Sequence, residues 1–100
     1  MAGKLIMTWD IAPEKEQEYF EFVVREFIPD IQKLGFELSD AWMTVYGNRP
    51  QILVGAVMPT IHDIYQILRS ERWQRMIEQL QGFVSNFDSR IVKSTGSFQF

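Results

Sequence analysis

His62 is the only histidine in the chain, and imidazole is the side chain best suited to general-base work near neutral pH. It is the one catalytic candidate. It stands beside Asp63 at the head of a capped helix, where a partly exposed histidine with no task is the more economical reading. No metal site is expected, because a single histidine without cysteine supplies no set of three or four converging ligands. No Gly-x-Ser-x-Gly elbow, Walker loop or Gly-x-Gly-x-x-Gly run occurs, so serine hydrolysis and phosphate cradling are set aside. What remains is aromatic: Trp9, Trp42, Tyr46, Tyr65 and Trp73. Such side chains stack on planar molecules and orient them through a polar tip. The same residues serve equally well as core or interface packing, the commoner fate of aromatics at strand or helix spacing.

Composition narrows the partners. The 100 residues carry 13 acidic and 10 basic side chains for a net charge of −3, mixed along the chain. No positive footprint for nucleic acid or an anionic membrane is present. The absence of cysteine removes disulfides and thiolate chemistry and fits a reducing compartment. The opening "MAGKLIMTWDIAPEKEQ" has an apolar run too short for a signal-peptide core or a membrane span, so a cytoplasmic protein is expected. With 46% hydrophobic and 23% charged residues, the chain has the make-up of one globular domain, 1–100.

The elements that would position those residues read as β-α-β-β-α-β. "KLIMTWDIA" (4–12) is a strand with Leu5, Met7, Trp9 and Ile11 on one face and Ile6 and Thr8 on the other. A helix is expected from Pro13 to Gly35, with Phe20, Val24, Phe27, Ile31 and Leu34 on its apolar stripe and a kink or break near Ile28 forced by Pro29, beyond which the stripe resumes. "FELSDAWMTVYG" and "QILVGAVM" follow as strands joined by a turn at Gly47, Asn48, Arg49 and Pro50. The second helical region runs to Gly82. It opens on Thr60 with Asp63 as a capping box and restarts at Ser70, so two helices in succession are expected. A turn at 86–89 and a last strand from Arg90 to Ser94 close the pattern.

This order is the α+β, ferredoxin-like arrangement, a four-stranded antiparallel sheet with its helices on one face. On the third strand Ile52, Val54, Ala56 and Met58 oppose Leu53, Gly55 and Val57, so neither face is polar. The same holds for Ala41, Met43 and Val45 against Trp42, Thr44 and Tyr46. An antiparallel sheet with one face in water ordinarily alternates apolar with polar. The expected cover is a second copy, sheet against sheet, in a two-fold homodimer.

The order of elements, Pro29 late in the first helix, "LRSERWQRMIEQL" with its Ser-x-x-Trp step at Ser70–Trp73, and "FVSNFDSRIVK" together resemble the dimeric α/β-barrel superfamily, most nearly its small antibiotic-biosynthesis-monooxygenase-like and stress-responsive members. The resemblance covers nearly the whole chain and rests on fold markers. It implies two chains sharing one barrel, and a pocket between the sheet and helices of each. Haem-degrading relatives use an Asn on the first strand and a His on the second helix. Here the first strand offers Trp9 and Asp10, and His62 lies at a helix start, so no cofactor is implied. RNA-recognition motifs share the topology but present aromatics on the third strand, where "QILVGAVM" has none. Amino-acid-sensing ACT domains use a glycine-containing turn where this chain has "DIAPEK". The expected function is binding of a small apolar or aromatic molecule, or an accessory role, with no activity assigned. The alternative is a cofactor-independent monooxygenase or isomerase on an aromatic or polyketide-like substrate.

Overall fold

The computed structural model describes residues 2–44 and 51–94. The expected turn at Gly47–Pro50, and with it Val45 and Tyr46, lies outside the described residues. Four strands form one antiparallel sheet: β1 (Ala2–Ile11), β2 (Glu37–Met43), β3 (Ile52–Met58) and β4 (Val84–Ser94), in the order β2-β3-β1-β4. Helices α1 (Glu16–Phe22), α2 (Ile28–Lys33), α3 (Ile61–Leu68) and α4 (Glu71–Gln81) cover one face. The fold is α+β and ferredoxin-like, as the element order implied.

The core lies between the helices and the face formed by Leu5, Met7, Trp9 and Ile11 with Val54, Ala56 and Met58. Both expected N-caps are made. Thr60 Oγ1 accepts from the Asp63 N–H at 3.1 Å and Ser70 Oγ from the Trp73 N–H at 3.2 Å, so α3 and α4 are two helices meeting at residue 70. Gly3 lets α3 come close to β1, since a Cβ there would lie 2.9 Å from the Ile61 Cα.

Three local readings are corrected. The first helix starts at Glu16 rather than Pro13, because residues 13 and 14 form a turn in which Glu14 has a φ of 68°. Between α1 and α2 the helix does not break. It widens into a π turn (Val23–Phe27), closed by the Ile28 N–H donating to the Val23 carbonyl. That extra residue rotates the apolar stripe. Tyr19, Phe22, Phe27 and Ile31 are buried, Val24 (69% exposed) looks outward, and Phe20 (44% exposed) stands at the edge of the stripe. The third correction is at 86–89, where β4 runs through without a turn. It carries a bulge opposite Trp9 at which Asn86 adopts a φ of 56°.

A second bulge falls in β2. Leu38 pairs with Ala56 and Asp40 with Gly55, leaving Ser39 unpaired in the ladder. The register parity flips there, so Leu38 belongs to the core and Asp40 to the open face.

Candidate functional site

A cavity of about 230 Å³ lies between the sheet and the first helical region. The sheet contributes Trp9, Ile52, Val54, Ala41, Trp42 and Met43; the helical side contributes Tyr19, Phe20, Val23, Phe27 and Ile28. No lining side chain is charged. β2 is an edge strand, and Trp42 and Met43, each 58% exposed, sit where the cavity opens.

Trp9 organises the site. Its indole Nε1 donates to the Tyr19 hydroxyl at 2.8 Å in a buried hydrogen bond. Its ring stacks on Phe87 with centroids 6.1 Å apart, and meets Phe27 edge-on at 5.8 Å. The β4 bulge at Asn86 is the irregularity that puts Phe87 opposite Trp9. Edge and stacked contacts of this kind fix the indole plane. Burial pushes the Tyr19 hydroxyl pKa above the ordinary 10.0, with the Trp9 hydrogen bond acting in the opposite sense. The phenol therefore stays protonated near neutral pH. Having accepted from Trp9, it keeps its own proton to donate.

Polar side chains beside the cavity hold the strand ends together. The Asp10 carboxylate accepts from the Gln51 backbone N–H at 2.9 Å and from Asn86 Nδ2 at 2.8 Å, while Gln51 Oε1 accepts from the Ile11 N–H at 2.7 Å. Asp10 thus joins the start of β3 to β1 and to the β4 bulge.

The sequence candidates separate in space. Trp9 and Trp42 line the cavity. Trp73 is buried on α4 and packs on Phe36, with ring centroids 5.9 Å apart. Tyr65 is exposed on α3, and His62 is exposed in the first turn of α3, outside the cavity lining. Tyr46 lies outside the described residues. Among the described residues no three acidic or histidine side chains cluster as a metal site would need. The residue that sequence reasoning missed is Tyr19. The five-residue gap between the large apolar Phe22 and Phe27, just before Pro29, was the available sign that the stripe turns.

The other face of the sheet carries Lys4, Ile6 and Thr8 of β1 beside Leu53, Gly55 and Val57 of β3. Lys4 forms an ion pair with Asp40, both side chains under 10% exposed. The pair passes over Gly55, where a Cβ would lie 2.6 Å from Asp40 Oδ2 and 2.8 Å from Lys4 Cε. Trp42 lies at one side of this face, and Asp88 and Arg90 of β4 lie exposed at the other.

No family model and no curated protein matches the chain. Solved structures do. A NIPSNAP family protein from Agrobacterium tumefaciens is 25% identical, with a TM-score of 0.68 over 95% of this chain and 94% of its own. An ethyl tert-butyl ether d (ethd) family protein from Bacillus halodurans has a TM-score of 0.72 at 16% identity, covering 95% of this chain and all (100%) of its own. A variant of SnoaB, a cofactor-independent oxygenase from Streptomyces nogalater, has a TM-score of 0.69 at 9% identity, covering 97% and 96%. At the lower identities the likeness is one of fold. No helix among the described residues is long and apolar enough to cross a membrane.

Proposed function

We propose that this chain, which has the ferredoxin-like fold of the dimeric α/β-barrel superfamily, is a cytoplasmic homodimer whose protomers each bind a small, neutral, aromatic or apolar molecule. One observation carries the reading. The cavity's described lining is uncharged and mostly apolar, and the Trp9–Tyr19 hydrogen bond sets an ordered hydroxyl in it. An uncharged wall disfavours an ionic ligand, which would lose its hydration without a partner. The Tyr19 hydroxyl is suited to donate to one oxygen or nitrogen of the guest, and Trp9 and Phe27 to contact its ring. At about 230 Å³ the space suits one or two fused rings and lies below the roughly 300–1,000 Å³ of drug-sized sites. The homodimer is supported by the open sheet face, where half-buried Leu53 and Val57 lie beside exposed Trp42 and leave apolar surface that a lone sheet does not ordinarily show to water.

The test is titration with 2-naphthol, followed by tryptophan fluorescence. Saturable quenching is expected, and Ala41→Trp, which fills the cavity from its exposed edge strand, should abolish it while the chain stays folded. Quenching that Ala41→Trp leaves intact would contradict this site.

A cofactor-independent oxygenase or isomerase is the second reading, and the same hydroxyl favours it. A protonated phenol in an apolar cavity stabilises negative charge developing on a substrate oxygen. No group in the described lining is fit to remove a proton near neutral pH, and His62 has no part in this reading. Oxygen uptake with a dihydroxynaphthalene, faster than without protein and abolished by Tyr19→Phe, would establish catalysis; uptake at the uncatalysed rate would leave the binding role.

A further inference from the structure

We infer that the π turn Val23–Phe27 selects the size of the molecule the cavity accepts, and that Val24 is the residue that makes the turn wide. The inference rests on the binding role assigned above to the cavity. Five of the cavity's lining residues, Tyr19, Phe20, Val23, Phe27 and Ile28, come from this stretch and straddle the turn. The turn is thus one wall of the site.

Its spacing shows what the extra residue does. The fully buried positions fall at Tyr19, Phe22, Phe27 and Ile31, so the middle interval is five residues where an α-helix uses three or four. Without Val24 the three intervals become three, four and four, an unbroken α-helical stripe with each of these buried side chains kept. Val24 contributes little to the core, being 69% exposed. The wide turn also has a local cause. Pro29 follows it directly, lacks an N–H, and in a regular helix would press on the Arg25 carbonyl. A π turn relieves that conflict, and π turns often sit at functional sites. Here the relief falls against the cavity, and a tighter α turn would draw Val23, Phe27 and Ile28 toward one another and narrow the wall.

The test compares 2-naphthol with phenol by fluorescence titration of the wild-type protein and a variant lacking Val24. The deletion should lower naphthol affinity by about tenfold relative to phenol, the scale on which apolar pockets resolve small differences in bulk. Its thermal midpoint should be lower, because the regular turn it restores brings Pro29 onto the Arg25 carbonyl. Unchanged preference in a folded deletion variant overturns the inference. If the deletion variant fails to fold, Val23→Phe and Val24→Phe decide the matter, adding the same bulk on the cavity side and the exposed side of one turn. Selective loss of naphthol in Val23→Phe alone supports the size-selecting wall; equal behaviour overturns it. A wild-type protein that binds neither probe removes the binding role itself, whereas wild-type binding with an indifferent turn removes only this inference.

Discussion

Lys4 and Asp40 are the residues on the open sheet face whose removal should cost most. Each side chain is almost wholly buried, and a buried charge that loses its partner is expensive, whereas replacing both partners by apolar groups is often neutral. Asp40→Ala should therefore destabilise the protein by about 3–5 kcal/mol in denaturant unfolding. The double variant Lys4→Met, Asp40→Leu should recover most of that loss, and a double variant as unstable as the single one would show that the pair acts through something besides charge. Tyr19 makes a second prediction, through its raised pKa. The folded state favours the neutral phenol, so its contribution is fully present below the unfolded pKa of about 10 and is lost as pH rises through the higher folded value. Unfolding midpoints should fall between neutral and strongly alkaline pH. Tyr19→Phe should flatten that fall, while costing about 1–3 kcal/mol at neutral pH because Trp9 Nε1 loses its acceptor.

Among the elements, those with local chemical signals were legible in the sequence and those set by one extra residue were not. Thr60 and Ser70 announced the two helix starts because an N-cap is a side chain bonding three residues ahead. Ser70→Ala should accordingly cost about 1 kcal/mol in thermal or denaturant unfolding, and α4 should become the earlier helix to exchange its amide protons. The alternation of β1 also read through, since Leu5, Met7, Trp9 and Ile11 form a run with period two. The three irregularities escaped. A π turn and two bulges each shift a periodic pattern by one, and an eye set to 3.6 or 2 assigns the residues beyond them to the wrong face. Val24 was placed inward for that reason. The stretch Asn86–Ser89 looked like a turn because Asn86 is at home at positive φ in turns and bulges alike. The same irregularities shape the site, since the turn forms the cavity wall and the β4 bulge brings Phe87 onto Trp9. The candidate site was half legible for the same reason: Trp9 and Trp42 stand on regular strand, while Tyr19 depends on the turn.

At the scale of the whole molecule, the two faces of the sheet divide the work. The helix-covered face holds the core and the cavity. The open face holds apolar side chains around a buried ion pair, with Asp88 and Arg90 exposed along β4. Two-fold packing of this face on a second copy would bury Leu53, Val57 and Trp42, the last of which also lines the cavity at the β2 edge. The measurement that bears most directly on this account is a native mass spectrum of the protein with 2-naphthol, compared with the denatured mass. A dimer carrying two ligands is the expected result, one for each protomer's cavity. A monomer would contradict the sheet-to-sheet assembly, and a dimer that takes up no ligand would contradict the binding site.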